Sequence, residues 1–346
     1  MTRSWDEAEH VLCVRLDTLG DVLMTGPAMR ALRESRPGRR ITLLTSPAGA
    51  AVAELMPEVD DAIVHEAPWM KGHDPPADVA IVETLRSRTF DAAAVFTTFD
   101  QTPLPAALLC HQAGVPLRLA HCREKPYALL TDWVPEPERG GPTRHEVRRQ
   151  LDLVAAIGAT TEDERLAVEV PPAARERVAP LLPDGGGWAV IHPGGTAPSR
   201  RYPVELWAEV SGALAHEHGF ELIVTGDDAE RELAAALPGT RSVAGELSLA
   251  ELAALLAEAP LLLAGNTGPV HLAAALGTPV VDLYALTNPQ HTPWMVDCRV
   301  LSHDVPCRWC YGSVCREAHH LCLRGVTPEQ VVEAALALSP SVSSPP

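Results

Sequence analysis

VLCVRLDTLGDVLMTGPAMRALRES, residues 11–35, is where the fold is first legible. Val11–Leu16 is a short run, apolar except for Arg15, with the length of a buried strand. A turn carrying Asp17, Thr18 and Gly20 follows, and from about Asp21 to Ser35 the apolar residues recur at helical spacing. Strand, glycine turn and helix in that order open a doubly wound α/β unit.

Downstream, the alternation repeats. Strands are expected at Ile41–Leu44, Ala62–His65, Ala92–Phe96 and Leu117–Ala120, with helices at Pro47–Met56, Ala77–Arg88, Pro103–Ala113 and Thr143–Ile157. Residues 135–142 (PEPERGGP) form a turn-rich break, and 171–187, rich in Pro and Gly, reads as an interdomain region holding a short helix. The alternation then restarts with strands at Trp188–His192, Phe220–Thr225, Leu261–Ala264 and Val280–Tyr284. Helices are expected at Pro203–His218, Ala229–Leu237, Ser248–Glu258, Pro269–Leu276 and Pro328–Leu338. The expected architecture is α/β, with two Rossmann-like doubly wound domains facing a cleft. Residues 1–175 form the first domain and 186–326 the second. A C-terminal helix, 327–338, follows, and 339–346 is expected to be a disordered tail.

Composition narrows the function. A chain of 346 residues suits two domains. The net charge of −17 argues against nucleic acid, whose phosphates require clustered cations. Lys71 and Lys125 are the only lysines, so phosphate contacts fall to arginine, backbone N–H groups and helix N-termini. The N-terminus lacks a secretory pattern, and no apolar run reaches 18 residues, so a cytoplasmic enzyme without a spanning helix is expected. Neither GxGxxG nor GxxxxGK[ST] occurs, which removes the usual signals for a dinucleotide oxidoreductase or a P-loop enzyme.

Five constellations carry chemistry. At the end of the first strand, Asp21 is placed to take a proton from a hydroxyl, or simply to cap the helix; Asp17 competes for the first role. In VIHPGGTAPSRRYPVELW, residues 190–207, Gly194, Gly195, Thr196, Arg200 and Arg201 make a pyrophosphate cradle or an ordinary turn with exposed arginines. In AGNTGPVHLAAALGTPVVDLY, residues 264–284, Asn266, Thr267 and Gly268 open a helix whose N–H groups suit a diphosphate. His271 follows on the first turn, as a ligand contact or a core histidine. Glu230 is a ribose ligand or an acid favoured by a helix dipole. Cys307, Cys310, Cys315 and Cys322, near His319 and His320, are spaced for zinc or for reduced loop packing; the irregular spacing favours the second, and no metal site is assigned. Arg144, His145 and Arg148 are acceptor-side anion contacts or a solvated helix face.

RLDTLGDVLMTGPAMRAL, HPGGTAPSRRYPVELW and GNTGPVHLAAALGTPVVDLYALTNP, with the cysteine-bearing tail, resemble segments of glycosyltransferase family 9, the ADP-heptose:lipopolysaccharide heptosyltransferases. The resemblance spans most of the chain and is weakest over 65–185. It implies a GT-B fold, with the C-terminal helix 327–338 packing back on the first domain, and inverting, metal-independent transfer with no cofactor beyond the nucleotide sugar. It also implies that Asp21 is the base, that Arg200 binds donor phosphates and that Glu230 binds ribose. The acceptor would be a lipopolysaccharide-core glycan or a small molecule, with peripheral membrane contact where the acceptor is lipid-linked. Asn266 departs from the family, which often has Asp in that turn. Two other functions are open to the same scaffold. A nucleotide-sugar epimerase would turn over donor alone, and a non-catalytic binding protein built around the cysteines would hold zinc without turnover.

Overall fold

The computed structural model of the chain describes residues 4–70, 75–136, 143–185 and 187–339. It divides into two compact units between Glu169 and Val170.

The first unit runs β1 (His10–Arg15), α1 (Leu19–Leu23), α2 (Gly26–Glu34), β2 (Arg40–Thr45), α3 (Pro47–Ala53), β3 (Asp61–Val64), α4 (Pro75–Ser87), β4 (Ala92–Val95), α5 (Leu104–Gln112), β5 (Leu117–Cys122), β6 (Asp132–Pro135) and α6 (Glu146–Ala155). Its six strands lie in the order β3-β2-β1-β4-β5-β6, all parallel. The second unit runs α7 (Pro172–Val178), β7 (Trp188–His192), α8 (Val204–His216), β8 (Glu221–Val224), α9 (Arg231–Ala235), β9 (Thr240–Ser242), α10 (Leu249–Glu258), β10 (Leu262–Gly265), α11 (Gly268–Leu276), β11 (Val280–Leu283), β12 (Cys298–Leu301), α12 (Leu321–Arg324) and α13 (Pro328–Leu338). Its sheet, β12-β11-β10-β7-β8-β9, is also all parallel and has the same winding, reversing direction between its first and fourth strands.

Parallel strands are covered by helices on both faces, so their sequences are apolar throughout rather than alternating. Every residue of β4, β7, β10 and β11 is buried, which is why these strands were readable as apolar runs. The edge strands β6, β9 and β12 escaped the reading because half or more of their residues reach solvent and they carry no apolar run. β6 also ends on Pro135, a residue without an N–H, which only an edge tolerates.

Two expectations give way. The helix expected over 21–35 is two helices, α1 and α2. Thr25 N–H turns to Val22 O, while Thr25 Oγ1 donates to Asp21 O at 2.9 Å, and Gly26-Pro27 starts a new helix. The interdomain helix α7 belongs to the second unit, where Arg175 and Arg177 pair with Glu258 (2.8 Å) and Glu251 (3.1 Å) of α10. The last helix, α13, buries Val331, Ala334 and Ala335 in the core of the second unit, with Trp207, Leu214 and Val281. Of the segments expected to be turn-rich or disordered, 137–142 and 340–346 lie outside the described residues.

Candidate active site

In a doubly wound sheet the crevice lies at the carboxyl ends of the two strands where the order reverses, because chains leave them toward opposite faces. In the first unit these are β1 and β4. The loop after β1 carries Asp17 and Asp21. Asp21 is buried and occupies the third position of α1 rather than its N-cap, which is Thr18. Its Oδ2 accepts from Thr18 N (3.2 Å) and Thr18 Oγ1 (2.7 Å), and its Oδ1 from Arg15 Nη2 (3.1 Å). The capping alternative was thus partly right in kind, as half of a capping box, and wrong in position. These bonds leave the carboxylate in one orientation at the end of β1.

Sequence reading missed what holds it there. Arg15 has no exposed surface and meets three carboxylates: Asp17 (3.1 Å), Asp21 (3.1 Å) and Glu146 (3.1 Å). Burial opposes its charge, but the surrounding carboxylates outweigh that and keep the guanidinium protonated. From Glu146 the network continues to Arg149 (3.6 Å), then to Glu136 (2.5 Å), Arg144 (3.0 Å) and Asp152 (2.9 Å). Gln150 Nε2 donates to Glu146 Oε1 at 2.6 Å and to Thr97 O at 3.0 Å, so the network also reaches the end of β4. Arg144 and His145, expected on the acceptor side, are engaged within the unit: Arg144 in two ion pairs, and His145 as N-cap of α6 accepting from Val147 N at 3.2 Å. Arg148 is likewise ion-paired, with Glu164. One signal for the network was in the sequence, an arginine inside an otherwise apolar strand.

Asp17 sits differently. Burial pushes its carboxyl up to about 6, with Asp21 and Glu146 adding to the rise and Arg15 and Gln101 opposing it. Its Oδ1 accepts from Gln101 Nε2 at 2.5 Å. It also lines a cavity of about 430 Å³ walled by Trp69, Phe96, Thr97, Asp100, Gln101 and Thr102, among others.

In the second unit the reversal falls between β7 and β10, and the predicted donor loops follow those two strands. Gly195 lies at φ +157°, its N–H donating to Glu230 Oε1 at 2.7 Å, and a Cβ on it would stand 2.7 Å from Thr267 Cγ2. The loop carrying Gly195 therefore rests directly on the turn that opens α11. A Cβ at Gly194 would fall 1.8 Å from Glu230 Oε1, so this glycine makes room for a carboxylate of its own chain. Glu230 also accepts from Asp227 N at 3.0 Å. Arg201 is tied down, Nε donating to Gly195 O at 2.7 Å, whereas Arg200 Nε is buried without a hydrogen-bond partner. Thr196 is exposed at the rim, Thr267 is the N-cap of α11, and Gly268 is its first residue. Asn266 is buried, its Oδ1 accepting from Ala285 N at 3.4 Å, and His271 is buried on α11. Asp282, also missed, is wholly buried with neither oxygen hydrogen-bonded; burial holds its carboxyl well above the usual range, against the pull of Arg200.

Residues 79–321 match the family described as glycosyltransferase family 9 (heptosyltransferase). The chain belongs to glycosyltransferase family 9.

Relatives agree. The chain is 26% identical to lipopolysaccharide heptosyltransferase 2 of Escherichia coli K12 over 95% of its own length and 98% of that protein. A glycosyl transferase family 9 structure from Veillonella parvula superposes with a TM-score of 0.78 at 21% identity, covering 98% of both chains. The E. coli heptosyltransferase WaaC solved with ADP-2-deoxy-2-fluoro heptose gives 0.67 at 21% identity, covering 94% of this chain and 98% of that one. The fold is GT-B, and as a family 9 member the chain is a glycosyltransferase, which removes the non-catalytic alternative.

Among the described residues no helix is long and apolar enough to cross a membrane, and no group of three or more His, Cys, Asp or Glu is placed to hold a metal. All eight cysteines are unpaired. Cys307 lies 3.8 Å from His319 Nε2, and with Cys322 packs beside Tyr284 and Leu286.

Proposed function

We propose that this family 9 enzyme transfers a heptose from ADP-heptose to a hydroxyl of a lipopolysaccharide-core or related glycan, with inversion and with Asp21 as base. The observation that carries the reading is the Asp21 carboxylate, fixed by Arg15 and Thr18 at the switch point of the first sheet. Support for the donor comes from the solved relative bound to an ADP-heptose analogue.

In this reading the donor occupies the second unit. Its diphosphate lies against the N-terminus of α11, where Thr267 and Gly268 offer N–H groups, and against Arg200; Gly195 sets the loop close enough for backbone contact. Positive charge and helix dipole stabilise the negative charge that grows on the leaving diphosphate. The acceptor hydroxyl attacks the anomeric carbon from the face opposite the diphosphate. The new C–O bond forms as the C–O bond to phosphate breaks, the hydroxyl proton passes to Asp21, and ADP leaves with the bonding electron pair. Neutralisation by arginine and backbone is consistent with transfer that needs no metal. The setting proposed is the cytoplasm, with membrane contact only through a lipid-linked acceptor.

Calorimetry in EDTA with ADP-heptose, ADP-glucose, UDP-glucose and GDP-mannose tests the donor. Selective ADP-heptose binding is expected; tighter binding of a UDP or GDP sugar overturns that assignment and leaves the fold standing.

A further inference from the structure

Asp282 interrupts the apolar strand β11, much as Arg15 interrupts β1. A carboxyl group in a covered strand is costly unless something bonds or balances it. β11 is paired on both sides, with Ala264 of β10 and Val300 of β12 opposite Asp282, and the residue has no exposed surface. Among the described residues neither of its carboxyl oxygens has a hydrogen-bond partner. Such a group weakens the second unit, so its presence calls for a reason other than folding.

The cation beside it is Arg200. The Arg200 backbone is laid on the end of β10: a Cβ at Gly265, the residue after Ala264, would stand 2.7 Å from Arg200 O. Neighbouring bonds hold that backbone in place. Ser199 donates from N to Ser313 O at 3.1 Å and from Oγ to Gly312 O at 2.7 Å, and Arg200 N donates to Ala197 O at 2.9 Å. The side chain is held differently. Arg200 is half-buried, and of its three nitrogens only Nε is among the buried atoms without a hydrogen-bond partner. The guanidinium thus has an inner edge, at Nε, and an outer end. Arg200 opposes the rise that burial imposes on Asp282. Tyr284, two residues along, belongs to the same buried region: burial and then Asp282 raise its hydroxyl, and Arg200 is among the groups opposing them. That hydroxyl is engaged elsewhere, donating to Asn288 O at 2.8 Å. A buried carboxyl without a donor and a buried N–H without an acceptor therefore stand together behind the loop that follows β7.

We infer that Asp282 is a positioning residue for the donor: its charge holds the inner edge of Arg200 and leaves the outer end for the diphosphate. The inference rests on the reading of Arg200 as a diphosphate contact. An arginine is a long side chain with much rotamer freedom, and freedom removed before binding is not lost on binding. Asp282 acts through the guanidinium, which stands between it and the diphosphate.

A double-mutant cycle tests it. Asp282→Asn keeps the size and removes the charge, and Asp282→Leu removes the polar group altogether; each is made in the wild-type and in the Arg200→Met chain. The readouts are ADP-heptose affinity by calorimetry, KM for donor and for a lipopolysaccharide-core glycan, and melting temperature. Each substitution alone should weaken ADP-heptose binding by about tenfold and leave KM for the glycan within about twofold. In Arg200→Met, itself weakened, each should add less than about twofold. Asp282→Leu should melt at or above the wild-type temperature, because it removes an unbonded buried polar group. Wild-type donor affinity in both Asp282 variants, with Arg200→Met weakened, overturns the inference and leaves the donor reading intact. Equal weakening in both backgrounds, or a chain that folds with neither side chain, makes Asp282 a support of the sheet and overturns it as well. Wild-type donor affinity in Arg200→Met would instead bring down the reading of Arg200 as a diphosphate contact, and this inference with it.

Discussion

Arg15 is a cation with no exposed surface at the centre of three carboxylates. Removing one partner from such a cluster leaves buried charge without compensation, a loss of about 3–5 kcal/mol. Arg15→Met should therefore destabilise the first unit by that order in urea unfolding, and should lower transfer through misplacement of Asp21. Two buried groups nearby titrate with opposite sense. Asp17 has its folded carboxyl raised to about 6, so the stability it contributes is full below about pH 4 and is lost as pH rises toward 6. His121 is lowered to about 4, chiefly by burial and then by Arg149, so its contribution is full above about pH 6.5 and is lost as pH falls toward 4. Their slopes oppose each other across pH 4–6. Asp17→Asn should leave stability rising more steeply with pH in that window, and His121→Gln should flatten or reverse the slope; unfolding midpoints read every half pH unit decide it. Of this scale, the sequence revealed the turn residue Asp21 and its rival Asp17. It concealed the partners: Glu136, Glu146 and Arg149 lie 121 or more residues away from Arg15 in helices and loops whose periodicity says nothing about which buried charge they face.

Strand, turn and helix were legible wherever burial was two-sided. β1, β4, β7, β10 and β11 are apolar because both faces are covered, and the helices between them show one apolar stripe. The solvent-facing edges β6, β9 and β12 and the α1–α2 break were not, although the edge strand β3 was. Gly194 and Gly195 had been read as openings toward an anion or as an ordinary turn. At Gly194 the nearer cause is Glu230, whose carboxylate occupies the space of a side chain; at Gly265 a Cβ would meet Arg200 O at 2.7 Å. Gly265→Ala should shift the backbone of Arg200 and raise KM for ADP-heptose several-fold with kcat less affected. Gly194→Ala should displace Glu230 and weaken donor binding more. Calorimetry on both variants checks the order, and unchanged donor affinity in each would remove these loops from the donor site.

Two sheets with the same strand order, each in its own core, account for a chain of 346 residues whose aromatic content is 4%. The cores are assembled from Leu, Val and Ala, with few large anchors, so those few matter. Trp207 is wholly buried, its ring 5.4 Å from Tyr202 at 83°, and Tyr202 donates to Val326 O at 2.7 Å beside α13. Trp207→Ala should cost the second unit about 3–5 kcal/mol, seen as faster amide exchange in β7, β8 and β11. The doubling of the Rossmann pattern was visible in the sequence because it depends on local periodicity. The place of α13 was not, because an amphipathic helix does not name the surface that covers it.

The central claim is that Asp21 takes the acceptor proton. Asp21→Asn keeps the size of the side chain and an oxygen for Thr18, so it separates proton transfer from helix capping. Transfer from ADP-heptose to a lipopolysaccharide-core glycan should be measured alongside donor affinity and melting temperature. The account predicts kcat lowered by about 100- to 10,000-fold, with donor affinity close to wild type and a melting temperature lowered by loss of the Arg15–Asp21 pair. Transfer at near wild-type rate would contradict it and move the base to Asp17.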